Sequence, residues 1–434
     1  MYALYTLLLL LAGVGLLPRI LWRCLRGATY HRDLAERLGY GMVSATAVQA
    51  ARGGLWFHAA SVGEVQGVQP IIASLHASLP ELPVVLSVFT PAGKQIAQRL
   101  LPETVVTFVL PLDLPWLMRR MMRCLHPRAL IIQETELWPN LFRAAARQHI
   151  PVVLVNGRLS RRAFRRYQWV RPLMRRVLAD VTLGLMQSDE GARRLQCLGA
   201  DSGRLQVTGN TNIDRALLAM ARPTQAHPLA ALVVGRRLLV AGSTHEGEES
   251  MLLSVYRRLY ACSPDLLLVL APRHLERVET VVRQARTYGC RAVCRSQWKD
   301  DQTVDLAGAT VLVLDTMGEL ATLYSLCTVA FIGGSLVPIG GHNVLEPAVF
   351  AKPLLFGPHM HHFPELAAML QQAGGALQVH GEEDLYERLV YLLTHPEAGA
   401  AMGQAALAAL AANRGALERT TTALKTLLST TRPA

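Results

Sequence analysis

Three stretches of the 434-residue chain combine residue types that can do chemistry. The first is Ser61-Val62-Gly63-Glu64. A glycine allows a tight turn, and a glutamate in the first turn of a helix sits at the positive end of the helix dipole, which favours its ionised form. An ionised carboxylate in a cleft can take a proton from a substrate hydroxyl; the same residue can equally serve only to stabilise the helix start. The second stretch is Glu134-Thr135-Glu136-Leu137-Trp138-Pro139-Asn140. Its neighbouring carboxylates beside an indole suit binding or activation of hydroxyls, or capping of the helix that follows. The third runs from Gly333-Gly334-Ser335 through Gly340-Gly341-His342-Asn343 to Glu346. A glycine-rich loop leading into a helix can present backbone amides to a phosphate, and Glu346, one turn further on, can accept hydrogen bonds from a ribose diol. Tight packing is the other use of those glycines. The loop carries neither a Walker A pattern nor G-x-G-x-x-G, so the ATPase and dinucleotide readings lose their main support.

These stretches must be held by regular elements, and short apolar runs supply them. Strands are predicted at 55–60, 84–89, 105–109, 129–132, 152–155, 183–186 and 205–207, with segments of helical period between them. A second series follows at 238–241, 266–270, 311–314, 329–332 and 354–356. Short continuous apolar strands separated by helices imply parallel sheets covered on both faces. The fold class is therefore α/β, with two Rossmann-like, doubly wound domains in tandem. Their predicted extents are 28–217 and 232–434, the second including an alanine- and leucine-rich helical tail. Residues 218–231, with Pro223 and Pro228, read as the linker, and two such domains would leave a cleft between them. Glu64 and Glu134 each follow a predicted strand, where ligand loops of open α/β sheets lie.

Composition narrows the partners. Hydrophobic residues make up 51% and charged residues 18%, which excludes disorder, and the net charge is +12. Lys94, Lys299, Lys352 and Lys425 are the only lysines among 44 basic residues. Arginine supplies the rest, and its planar fork suits phosphate and carboxylate. Residues 1–17 carry no charge, and Arg19, Arg23 and Arg26 follow before the first acid, Asp33. Residues 1–21 thus read as a membrane anchor, spanning or peripheral, with the chain after it on the cytoplasmic side. Eight arginines and no acid lie between Arg158 and Arg176, interleaved with Phe164, Tyr167 and Trp169. In an anchored chain the anionic membrane surface is a simpler partner for them than nucleic acid. Seven scattered cysteines suit a reducing compartment, and Cys290 and Cys294 lack the second pair that structural zinc requires. His359, His361 and His362 follow Gly357-Pro358 with no carboxylate or cysteine close by in sequence, and read as loop histidines facing substrate or solvent.

Together the motifs resemble one family, the 3-deoxy-D-manno-octulosonic acid (Kdo) transferases of lipopolysaccharide assembly. The resemblance spans almost the whole chain. It rests on Ser61 to Glu64, Thr90-Pro91-Ala92-Gly93, Glu134 to Asn140, Arg158-Leu159-Ser160, Val207-Thr208-Gly209-Asn210, Ser243-Thr244-His245-Glu246-Gly247-Glu248-Glu249, Ala271-Pro272-Arg273-His274, Asp315-Thr316-Met317-Gly318-Glu319-Leu320 and Gly333 to Pro347. The resemblance implies a GT-B glycosyltransferase with an N-terminal anchor, acting at the cytoplasmic face of the inner membrane. It would move Kdo from CMP-Kdo to the lipid A precursor lipid IVA with inversion, using no bound metal or other cofactor. By position, Glu64 would be the general base and Glu134 would assist the transition state. CMP would be held by Pro272 and Arg273, by Met317, Gly318 and Glu319, and by Asn343, Val344, Leu345 and Glu346. Arg273 and the amides of the loop at 333–343 would face the leaving phosphate, and closure about the linker would join the two halves.

One position departs from the family. Where a lysine is usual, this chain reads Gly209-Asn210-Thr211-Asn212-Ile213-Asp214, with neutral Asn212 in its place. The resemblance then implies a weaker neutral donor at 212, a substitute arginine such as Arg158 or Arg215, or reduced activity, and an arginine substitute is the favoured expectation.

Overall fold

A computed structural model describes residues 1–26, 34–40, 45–220, 228–231, 234–298 and 308–430. It divides into two compact units, one formed by Met1–Arg215 with Arg414–Ala434 and the other by Ala216–Asn413.

The first unit is built on seven parallel strands, β1 (Leu55–Ala59), β2 (Val84–Val88), β3 (Val106–Val109), β4 (Ala129–Gln133), β5 (Val152–Gly157), β6 (Leu183–Met186) and β7 (Leu205–Val207). They lie in the order β3-β2-β1-β4-β5-β6-β7, so the order reverses between β1 and β4. Alternation along the strands feeds two cores. Trp56, Leu130 and Ile132 pack under the helices of one face, while Leu55, Phe57, Ala59 and Ile131 pack under those of the other.

The second unit repeats the plan with β8 (Arg237–Thr244), β9 (Leu266–Pro272), β10 (Arg291–Cys294), β11 (Thr310–Val313), β12 (Val329–Ile332), β13 (Leu354–Phe356) and β14 (Ala376–Gln378). Their order is β10-β11-β9-β8-β12-β13-β14, with the reversal between β8 and β12. β10 and β14 had no sequence prediction. Both are edge strands of three or four residues and only partly buried, so neither shows the continuous apolar run of the inner strands.

Two expectations need correction here. The helical tail, expected wholly in the second domain, is divided: its first helix, Pro396–Ala412, belongs to the second unit, but its last, Ala416–Thr430, packs on the first. Leu424 and Leu428 enter the core beside the helix Val62–Ser78, and burial of each is worth roughly 1.5–3 kcal/mol. The Asp214 carboxylate caps this helix by accepting the Gly415 and Leu417 N–H groups at 2.6 and 2.9 Å. The expected linker is also shorter at its start, since the helix Thr211–Met220 runs through 218–220. Its residues 221–227 lie outside the described residues.

The N-terminal segment forms the helix Tyr2–Arg26, yet among the described residues no helix is long and apolar enough to cross a membrane. The expected spanning anchor is therefore not supported. The uncharged run stops at Pro18-Arg19, short of the ~20 residues a bilayer needs. One face of this helix is also tied to the first unit. Tyr2 donates its OH to Asp180 at 2.7 Å, and Thr6 meets the Asn140 amide at 3.1 Å. Leu4, Leu7, Leu8, Leu11 and Val14 stay exposed along the other side.

Candidate active site

In the first unit, β1 and β4 flank the point where strand order reverses, and Glu64 and Glu134 follow their carboxyl ends. A separation of seventy residues in sequence is thus closed by the pairing of β1 with β4. Ser61 caps the helix Val62–Ser78 by accepting the Glu64 N–H. The Glu64 carboxylate folds back to accept the Ala60 N–H at 2.8 Å and the Ser61 hydroxyl at 3.0 Å, a reciprocal arrangement akin to a capping box.

The helix start does not keep Glu64 fully ionised, as the motif alone had suggested. Burial raises its carboxyl to about 7, with Glu134 and Glu136 adding repulsion and the Ala60 and Ser61 donors pulling the other way. A carboxylate titrating near neutrality suits general-base work.

Glu134 turns sharply away from β4 at φ 57, with its N–H donated to Val155 at 2.8 Å. Burial raises its carboxyl, opposed by the Arg158 guanidinium, whose Nη2 lies 3.6 Å from Oε2. Thr135 staples this corner to the loop after β5, since its hydroxyl donates to the Arg158 carbonyl and accepts the Arg158 N–H at 3.1 Å. Burial also raises Glu136, with Glu134 adding to it. Asn140 takes no part in this group. It is bound to Asp113, whose carboxylate caps the helix Pro139–Ala146 through the Asn140 and Leu141 N–H groups at 2.9 and 2.8 Å.

Asn212 stands one turn below Glu64. A Cβ at Gly67 would lie 3.3 Å from Asn212 Oδ1 and 2.7 Å from Gln133 Nε2. Both amide atoms of Gln133 are buried without a hydrogen-bond partner. Of the two arginines named as substitutes for the family lysine, Arg158 is the one that lies against Glu134.

In the second unit the loops after β9, β11 and β12 emerge at one edge of the sheet and bring the expected nucleotide contacts to it. Pro272 ends β9, and exposed Arg273 donates its N–H to Thr244 at 3.0 Å. Met317 is exposed and Gly318 turns with φ 90. The Glu319 carboxylate is already bound by Arg295, at 3.0 and 3.2 Å, and by the Thr316 hydroxyl. Asn343 donates to Glu346 at 3.0 Å and accepts the Leu345 N–H at 3.1 Å. The Val344 and Leu345 side chains are fully packed, which leaves their backbone as the part able to meet a ligand.

The expected phosphate cradle is corrected by Glu248, which the sequence places in a family motif without a role. Its carboxylate, fully buried, accepts N–H groups from His245, Gly334, Ser335 and Leu336 at 3.0, 2.7, 2.9 and 2.9 Å. Three amides of the glycine loop therefore already hold an internal anion. Two acids in the first turn of the helix Glu248–Cys262 were the available signal, but the contact spans 86 residues of chain. His359 and His362 are held against the same loop through backbone bonds to Ser335 and Gly340, both at 2.9 Å. Among the described residues no group of three or more His, Cys, Asp or Glu could hold a metal ion.

Two parallel α/β units, each presenting loops at its switch point, define a GT-B-like fold. The fold matches that of a putative UDP-N-acetylglucosamine 2-epimerase from Listeria monocytogenes, with a TM-score of 0.62 over 88% of this chain and 98% of that one at 16% identity. A family model described as 3-deoxy-D-manno-octulosonic-acid transferase matches residues 32–215. The 3-deoxy-D-manno-octulosonic acid transferase of Haemophilus influenzae is 34% identical, covering 98% of both chains. That of Bordetella pertussis is 32% identical over 96% of this chain and 97% of its own. The chain belongs to the 3-deoxy-D-manno-octulosonic acid transferase family and is a glycosyltransferase.

Proposed function

We propose that the enzyme moves Kdo from CMP-Kdo to lipid IVA, with inversion at the anomeric carbon. The observation that carries this reading is Glu64, a half-buried carboxyl raised to about 7 at the switch point of the first unit and accompanied by Glu134 and Arg158. Glu64 takes the proton of the acceptor hydroxyl, and the freed oxygen attacks the anomeric carbon as the bond to the CMP phosphate breaks. Glu134 and Arg158 steady charge beside that oxygen. In the second unit Pro272, Arg273, the turn from Met317 to Glu319 and the segment from Asn343 to Glu346 hold CMP. Arg273 is the cation offered to the leaving phosphate.

The helix Tyr2–Arg26 lies on the cytoplasmic face of the inner membrane, with Leu4, Leu7, Leu8 and Leu11 entering the head-group boundary. Arginines of the exposed helix Arg161–Trp169 face anionic lipid.

The test is mass spectrometry of the products formed by the purified chain from CMP-Kdo and lipid IVA, with CMP and UDP as competitors. The expected product is lipid IVA heavier by Kdo, with CMP inhibiting and UDP not. Inhibition by UDP alone would assign the donor to another nucleotide class.

A further inference from the structure

A histidine cluster occupies the crevice of the second sheet, and no step above uses it. His245 follows β8, His274 follows β9, and His342 lies in the loop after β12, so His245 and His342 sit on either side of the strand-order reversal. The rings of His245 and His342 lie 4° from parallel with their Nε2 atoms 2.8 Å apart. His274 meets the His245 ring edge-on at 5.6 Å between centroids. Gly334 seats the pair. At φ 67 it has no Cβ, and one would fall 3.1 Å from the His342 ring and 3.3 Å from the His245 ring.

Two Nε2 atoms at that spacing share one proton, because one ring must donate and the other accept. A second proton would set two N–H groups head-on. The contact thus allows one proton between the facing nitrogens, and the charge of the pair is set by its surroundings. Burial, with His274, Arg273 and Arg277 beside it, lowers His245 against the pull of Glu249, and burial with the neighbouring cations and rings brings His342 down to about 4, which favours a neutral pair. The groups facing the pair are Arg273, His274, Arg277, His362 and one acid, Glu249. Arg277 engages Glu249 at 2.8 Å, and neighbouring Glu248 is taken up by backbone amides. Since Glu248 also occupies the loop amides at 334–336, an anion entering this crevice must find its donors elsewhere. Both histidines are only partly buried, and Arg273 and His274 are exposed, so solvent and ligand can reach them.

We propose that His245 and His342 form the oxyanion subsite of the donor crevice. When a phosphate or carboxylate enters, the pair takes one proton from solvent, the Nε2 to Nε2 bond opens, and both rings turn an N–H toward the anion. This rests on the donor reading above, whose CMP-sugar carries both kinds of oxyanion.

Calorimetry of the full chain at pH 7, in two buffers of different ionisation enthalpy, measures the protons taken up on binding. CMP, free Kdo, cytidine and UMP are the probes, each run with wild type, His245→Gln and His342→Gln. The expected result is uptake of up to one proton with CMP or with Kdo, and none with cytidine. The first assigns the subsite to the phosphate and the second to the sugar carboxylate. Glutamine keeps a hydrogen-bonding group but cannot titrate. Each variant should therefore lose the extra proton and flatten a Kd that in wild type weakens by about tenfold per pH unit. Comparison with the variants cancels the titration of CMP itself. Uptake with UMP where CMP fails to bind leaves the histidine subsite standing and removes the cytidine reading. Equal uptake in wild type and variants, binding without uptake, or no binding by any oxyanion probe overturns the proposal. Should a variant not fold, the ring Cε1 signals of wild-type His245 and His342 give the same answer, since CMP or Kdo must raise their titration midpoint.

Discussion

Replacing Glu64 by glutamine tests the site through stability as well as rate. Burial moves this carboxyl from 4.5 to about 7, and at 1.36 kcal/mol per unit the shift corresponds to about 3 kcal/mol. Glu64 keeps some contact with solvent, so screening makes that figure a ceiling. The folded chain holds the proton while the unfolded chain releases it. Wild type therefore loses stability as pH rises from about 4.5 to about 7, then levels off. Glutamine can keep both local bonds, accepting from Ala60 and donating to Ser61, and does not ionise. E64Q should thus match wild type near pH 4.5 and exceed it by as much as about 3 kcal/mol above pH 7. Over the same range kcat should fall about 10²- to 10⁴-fold, with loss of the limb that rises through pH 7 in wild type. Urea unfolding followed by tryptophan fluorescence reads mainly the first unit, which contains Trp22, Trp56, Trp116, Trp138 and Trp169, with Trp298 in the second. An E64Q stability gain that is the same at pH 5 and pH 8, or transfer within tenfold of wild type, would refute the reasoning.

The Glu248 carboxylate serves two N–H groups with each oxygen, so the amide of E248Q can satisfy only one pair and must turn its NH₂ toward the other. A loss of roughly 2–6 kcal/mol is expected from two stranded donors, measured by thermal unfolding of the second unit, together with weaker CMP binding. If Arg158 supplies the cation beside Glu134, R158M should lower kcat about 10²-fold or more while N212K changes it less than about threefold. A large gain in N212K would point instead to Asn212 as a weak donor. Placing glutamate at Leu8 and Leu11 should weaken flotation with anionic vesicles without changing CMP affinity, since both side chains are exposed. Unchanged flotation would remove the helix Tyr2–Arg26 from the membrane contact.

Much of the fold was legible because parallel strands covered on both faces are continuous apolar runs. β6, β7, β12 and β13 have the same limits in sequence and structure, and most of the other predicted strands differ by one or two residues. β10 and β14 escaped because, as short edge strands, they begin or end in polar residues, Arg291 in one and Gln378 in the other, and show no continuous apolar run. In the site, the general-base candidate and its partner were legible as motifs following strands. Their meeting was not, because it depends on β1 pairing with β4 and skipping the two strands between them in sequence.

By itself, the sequence determined the class of elements, the two-sheet plan and the family, since these follow from hydrophobic period and from motifs that are local in the chain. Tertiary structure alone decided which charges meet and in what state. Burial sets Glu64 near neutrality against the pull of its helix. Glu248 fills amides that the loop had offered to a phosphate. Asp214 draws the last helix back onto the first unit, and two histidines nearly a hundred residues apart come to share one proton. Desolvation and hydrogen bonding act over a few ångströms whatever the distance along the chain, so no local pattern of residues can report them.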